Sequence, residues 1–94
     1  MTGATSAGRV LVVEDEEMVG EFMRDLLEGR GLDVTVLRDP TEALEAIRGR
    51  ADAFDLVITD QTMPRLTGLE LSRAISRMRP SLPIILYTGY GEGI

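Results

Sequence analysis

Four short β-type runs recur along the chain, and each is followed by a stretch patterned for a helix. RVLVV (Arg9 to Val13), DLVIT (Asp55 to Thr59) and IILYT (Ile84 to Thr88) are nearly continuous in apolar residues, as in strands buried on both faces. LDVTVL (Leu32 to Leu37) alternates and is rich in β-branched side chains. Strands separated by helices cannot be joined as tight hairpins. They connect by right-handed crossovers into a parallel sheet covered on both faces. The order βαβαβαβ therefore predicts an α/β, doubly wound domain.

The intervening segments carry their own start and stop signals. Val19, Phe22, Met23, Leu26 and Leu27 fall at the spacing of an amphipathic helix, with Gly29 and Gly31 as its stop. DPTE (Asp39 to Glu42) opens the next helix, with Asp39 as cap, Pro40 in the first helical position and Glu42 at the reciprocal position of a capping box. That helix turns Ala43, Leu44 and Ile47 inward and ends near Gly49. TGLE (Thr67 to Glu70) is a second capping box, ahead of a face made by Leu71, Ala74, Ile75 and Met78. Pro80 and Pro83 bracket its exit.

Composition removes several classes of function. The chain has 94 residues, enough for one domain, and no Cys and no His. Disulfide, thiolate–zinc and imidazole chemistry are excluded with them. All ten basic residues are Arg, and the net charge is −6, which argues against nucleic acid or an anionic membrane as the direct partner. No apolar run approaches the roughly 20 residues of a membrane span. Met1 to Gly8 is small and polar, without the apolar core of a signal peptide, and is expected to be a disordered tail (residues 1–8). A cytoplasmic protein is the expectation.

Acids and a hydroxyl gather where such sheets bind ligands, beyond the carboxyl ends of the strands. Glu14 and Asp15 follow the first strand, Asp60 ends the third and Thr88 ends the fourth. Taken singly, each has an ordinary explanation: a cap or turn for Asp60, a solvated helix start for EDEE (Glu14 to Glu17), a turn for Thr88. Together they place three carboxylates at one edge if the first and third strands are neighbours. Such a group repels itself unless a cation offsets the charge. Mg²⁺ suits it, because that ion takes oxygen ligands and is commonly held by one or two carboxylates plus phosphate oxygens. An ionised Asp60 can then act as a nucleophile toward phosphorus, with the Thr88 hydroxyl beside the product.

At these residues the chain resembles the receiver domain of two-component response regulators. VLVVEDEE, DLVITDQTMPRLTGLEL and LPIILYTGY carry the resemblance, which runs from about Arg9 to the end. It is most similar to receivers of hybrid sensor histidine kinases. The resemblance implies a flavodoxin-like fold of strand order 2-1-3-4-5, and a receiver over residues 9–94. It implies that Asp60 takes a phosphoryl group from a phosphohistidine of a sensor histidine kinase or phosphotransfer domain, then switches conformation to control a partner. Asp15 and Asp60 would bind Mg²⁺ through side chains and Thr62 through its backbone carbonyl. Glu14 would act on the metal mostly through water, and Thr88 would be the switch hydroxyl. A phosphoacceptor of this kind is a signalling domain, with no catalysis beyond its own phosphoryl transfer and dephosphorylation.

Two departures qualify the match. Glu14 stands where Asp is commoner in the family. The family also carries a fourth helix, a fifth strand bearing an aromatic switch residue and ending in Lys, and a fifth helix. This sequence stops before them and contains no Lys. A piece of a longer chain is expected, with a degenerate receiver as the alternative. Other readings are a pseudo-receiver that serves only as an interaction module and an aspartyl-phosphate phosphatase of the haloacid-dehalogenase type. The latter wants a second acid two residues after the nucleophile, where this chain has Thr62. A nucleotide binder would want small residues after the first strand to cradle phosphate, not EDEE.

The implied order leaves the apolar fourth strand without an outer neighbour. The missing fifth helix would also bare the side of the sheet shared with the first helix, so some of Leu11, Val13, Val57 and Leu86 are expected to lose cover. Residues 1–94 alone are expected to be molten, aggregated or dimerised through that exposed strand. Size-exclusion chromatography with near-UV circular dichroism checks this; a monomer with a sharp thermal transition is the opposing result.

Overall fold

The structure is a computed structural model that describes residues 8–50 and 52–88. The expected tail lies outside the described residues except for Gly8, whose carbonyl accepts the Asp33 N–H at 2.9 Å. Seven elements follow in order: β1 (Arg9–Val13), α1 (Glu17–Glu28), β2 (Asp33–Leu37), α2 (Pro40–Gly49), β3 (Leu56–Asp60), α3 (Gly68–Met78) and β4 (Ile84–Tyr87). The strands form one parallel sheet in the order β2-β1-β3-β4, as the resemblance implies. From β1 the chain steps outward to β2, then crosses back to place β3 on the other side of β1. The reversal opens a crevice between the β1 and β3 tips.

Alternate residues of the strands feed two cores. On one face Leu11, Val13 and Val57 are sealed against Ala43 and Ile47 of α2 and Leu71 and Ile75 of α3. On the other face Val10, Val12, Val34 and Ile58 pack with the half-buried Met23 and Leu27 of α1. Leu11, Val13 and Val57 thus keep their cover. Among those four residues, only Leu86 is exposed. Ile85 is also bare, at 51% exposure, because it pairs with Ile58 on the α1 face while α1 itself lies over β1 and β2.

The apolar stripe read along α1 is wider than the surface that receives it. Val19, Met23 and Leu27 are half-buried, but Phe22 is 65% and Leu26 52% exposed. The helix meets the sheet along a line through Gly20, where an added Cβ would lie 3.0 Å from Val36. Met18, Phe22 and Leu26 lie farther around the helix from that line.

The helix ends follow local chemistry. Gly31 takes φ +88°, a left-handed angle that costs glycine little. Leu32 N–H and Gly31 N–H then bond back to the Leu27 and Glu28 carbonyls, the pair of a Schellman turn. Asp39 caps α2 by accepting the Thr41 N–H at 2.9 Å, with Pro40 beginning the helix. The capping box before α3 is complete: Thr67 Oγ1 accepts the Glu70 N–H at 3.1 Å, and Glu70 Oε1 accepts the Thr67 N–H at 2.9 Å.

Leu71 and Phe22 should separate sharply in stability. Leu71→Ala empties a fully buried site and is expected to cost about 2–5 kcal/mol. Phe22→Ala should cost well under half as much, because most of that ring already meets water. Urea denaturation of both variants checks this; equal losses would mean that α1 is covered in solution.

Candidate functional site

Parallel pairing of β1 with β3 sets Val13 beside Thr59, so Glu14 and Asp60 leave the sheet side by side. Glu14 N–H continues the ladder to the Leu37 carbonyl at 3.0 Å. One carboxylate oxygen each from Glu14, Asp15 and Asp60 lies within 4.8 Å of the others. They line a cavity of about 400 Å³, together with Glu16, Val19, Thr62, Met63 and Pro64. The predicted acids thus converge, and Thr62 joins them at the wall. Thr88 follows β4 as an exposed residue outside that lining.

Each group is held by a different part of the chain. Asp60 is only 6% exposed, and its Oδ1 accepts the Thr62 N–H at 3.2 Å. Glu14 is 2% exposed; its Oε1 accepts from the Tyr87 hydroxyl and its Oε2 accepts the Glu16 N–H at 3.0 Å. Burial raises the Glu14 pKa above the ordinary value, the two hydrogen bonds work against that rise, and the charges of Asp60 and Asp15 add to it. The Tyr87 hydroxyl is pushed upward by burial and by the Glu14 carboxylate. Arg38, just past β2, donates from Nε and Nη2 to the Asp15 backbone carbonyl, both at 3.2 Å. That arginine steadies the β1–α1 loop through the Asp15 carbonyl.

The loop after β3 is drawn tightly over Asp60. Gln61 accepts the Gly68 N–H on its backbone carbonyl at 3.0 Å and the Leu69 N–H on its side-chain oxygen at 2.8 Å. A Cβ at residue 68 would fall 2.3 Å from the Asp60 carbonyl oxygen, so only glycine allows this approach. Arg65 takes φ +71°, a left-handed angle costing roughly 1–2 kcal/mol for a residue with a Cβ. Its guanidinium lies 3.3 Å from Asp39 and ties this loop to the start of α2.

Tyr87, Gln61 and Arg38 were not singled out by sequence reasoning. Tyr87 carried a faint signal: an aromatic ring with a polar tip at the end of an otherwise aliphatic run. Gln61 and Arg38 act through backbone groups, which sequence patterns do not display. The donor set itself is all oxygen and rich in negative charge, which fits Mg²⁺ and no soft metal.

Comparison with known proteins accords with this geometry. The sequence model of the response regulator receiver domain matches residues 10–93. The chain belongs to that family. It is 31% identical over 88 residues to the transcriptional regulatory protein FixJ of Bradyrhizobium diazoefficiens, covering 94% of this chain and 42% of FixJ. It is 40% identical over 80 residues to the response regulator MprA of Mycolicibacterium vanbaalenii, covering 85% of this chain and 34% of MprA. A receiver domain protein from Clostridium thermocellum superposes with a TM-score of 0.83 at 33% identity, over 89% of this chain and 67% of that one. The receiver of the hybrid histidine kinase CckA gives a TM-score of 0.81 at 35% identity, over 92% of this chain and 80% of that one. Receiver domains are signalling domains of two-component systems. Among the described residues, no helix is long and apolar enough to cross a membrane.

The raised pKa of Glu14 has a measurable sign. Folding favours its protonated form, so that contribution is full below the ordinary glutamate value of 4.5 and is lost as pH rises through the higher folded-state value. Metal-free Glu14→Gln, which stays neutral, is therefore expected to melt above the wild type near neutral pH. The gap should close as pH falls toward 4.5. Thermal melts across this range check it, and a gap that stays constant with pH would contradict it.

Proposed function

We propose that this receiver accepts a phosphoryl group on Asp60, from a phosphohistidine of a sensor histidine kinase or phosphotransfer domain, and thereby changes conformation to control a partner. The observation that carries this reading is the nearly buried Asp60 carboxylate at the floor of the cavity, within 4.8 Å of the Glu14 and Asp15 oxygens. Asp15 and Asp60 would hold Mg²⁺ by their side chains, Thr62 by its carbonyl, and Glu14 through water. When bound, the ion neutralises the acid cluster and the incoming phosphoryl oxygens. An oxygen of Asp60 attacks phosphorus, the phosphorus–nitrogen bond of the donor breaks, and its electron pair leaves on the imidazole. The β3–α3 loop keeps Asp60 fixed during the attack, and Thr88 supplies a hydroxyl to the new acyl phosphate. The domain acts in the cytoplasm and turns over no substrate beyond its own phosphoryl group. Thr62 supports that last point, since no acid stands two residues after Asp60 to assist turnover.

Acetyl phosphate or beryllofluoride with Mg²⁺ should modify or occupy Asp60 and no other residue. Asp60→Asn should remove the effect, and Asp15→Asn should abolish most Mg²⁺ binding, while Glu14→Gln weakens it less. Thr88→Ala should keep phosphorylation and lose coupling to the partner. Mass spectrometry and Mg²⁺ titrations followed by NMR check these outcomes. Labelling that survives Asp60→Asn would place the nucleophile elsewhere, and a chain that never labels would be a pure interaction module.

A further inference from the structure

Tyr87 closes β4, and its two ends grip two parts of the acidic site. Its carbonyl accepts the Gln61 N–H at 2.7 Å, which fixes the residue directly after Asp60. Its hydroxyl donates to Glu14 Oε1. The register sets Tyr87 beside Asp60, so the ring reaches past the β3 tip to the end of β1. The ring is half-buried and packs against the core formed by Val10, Val12, Val34 and Ile58. It is therefore anchored by packing as well as by its hydroxyl.

The consequence for Glu14 is geometric. Its other oxygen, Oε2, is taken by the Glu16 N–H at 3.0 Å. Each oxygen thus has a protein donor and keeps spare acceptor capacity toward the cavity. A glutamate has three side-chain rotors, and without these bonds it would sample several directions at an entropic cost to any ligand that needs one of them. Hydrogen-bond donors behind a metal-facing carboxylate set its orientation and basicity.

We propose that Tyr87 is a positioning residue of this site: its hydroxyl locks the Glu14 carboxylate as a water-mediated acceptor, leaves Asp15 and Asp60 as the direct ligands, and so sets the affinity for Mg²⁺. The proposal rests on the metal-assisted reading above. It also makes Tyr87 an optical reporter of the site. The chain has no Trp and two Tyr, Tyr87 and Tyr90, so Tyr90→Phe leaves Tyr87 as the one emitting ring.

The experiment is a Mg²⁺ titration of the full chain, read twice: by Tyr87 emission in the Tyr90→Phe background, and by the amide shifts of Thr62 and Met63. Both readouts should share one midpoint. Tyr87→Phe keeps the ring and its packing, and should weaken Mg²⁺ about tenfold, at the low end for the loss of a hydrogen-bond partner around a metal site. In a Glu14→Gln background the same substitution should cost no more than twofold, because the hydroxyl acts through that carboxylate. Tyr87→Phe that melts like the wild type and binds Mg²⁺ within twofold of it would overturn the proposal, and so would a full tenfold loss that persists in Glu14→Gln. An emission change that is the same in Glu14→Gln would do so too. If Mg²⁺ moves no amide of Thr62 or Met63 in the wild type, the metal reading itself fails and this inference falls with it. That outcome is distinct from a wild type that binds and a Tyr87→Phe that binds equally well.

Discussion

Three carboxylates held at the tips of two neighbouring strands are the constraint to which the rest of the structure answers. Unit charges 4.8 Å apart repel by roughly 3–4 kcal/mol at an effective dielectric of about 20. Three such pairs would approach the whole stability of a typical domain, about 5–15 kcal/mol. Crowding of this kind favours the uptake of a proton or a cation. The Glu14 pKa is raised, first by the burial of its carboxylate and then by the charges of Asp60 and Asp15. A divalent ion would do the same work without removing a charge from Asp60, and an ionised Asp60 is what attack on phosphorus requires.

The crowding can persist because each acid is held through a group that does not itself neutralise it. Asp60 is fixed by the strand and by Thr62 N–H; Asp15 is steadied through its backbone carbonyl by Arg38. Placing the Arg38 guanidinium on the Asp15 carbonyl rather than on its carboxylate leaves that carboxylate open to the cavity. The α2–α3 face supplies the mechanical base. Leu11, Val13, Val57, Leu71 and Ile75 are completely buried there, and the Gly68 contact presses the start of α3 onto the Asp60 backbone. The α1 face is more loosely covered, but Val10 and Val12, which carry β1 to Glu14, remain buried. The site is thus seated on the best-packed part of the fold.

Much of this was legible in the sequence, for physical reasons that also mark where legibility ends. Strand runs and helix caps are short-range patterns, parallel pairing follows from the crossovers, and the strand order came from the family resemblance; Thr67 with Glu70 made the box that its spacing announced. The convergence of Glu14, Asp15 and Asp60 followed once β1 and β3 were set side by side. The burial of α1 did not follow. Periodicity tells which residues share a face, yet how much of that face meets the sheet depends on where the helix lies across it. Phe22 and Leu26 share the stripe with Met23 and Leu27, but Gly20 sets the line of contact, and they fall beyond it. The supporting bonds of Gln61 and Arg38 were equally invisible, because a side chain that bonds to backbone leaves no partner residue to recognise.

The glutamate at position 14 and the tyrosine at position 87 make sense as a pair. An aspartate at residue 14 would be shorter by one methylene and would sit nearer its own backbone. The longer glutamate carries its carboxylate out to meet the Tyr87 hydroxyl while still folding back on the Glu16 N–H. Gly20 of α1 lies beside that path; a Cβ there would make ordinary contact with Glu14 Cγ at 4.0 Å, while its tight neighbour would be Val36 at 3.0 Å. Length alone would loosen the site, since an extra rotor spreads the carboxylate over more directions. The hydroxyl restores what the added rotor takes away, and it does so from the strand whose carbonyl already holds Gln61, the residue after Asp60. The two ends of the acid cluster are thereby tied to one residue, Gln61 through the Tyr87 carbonyl and Glu14 through its hydroxyl.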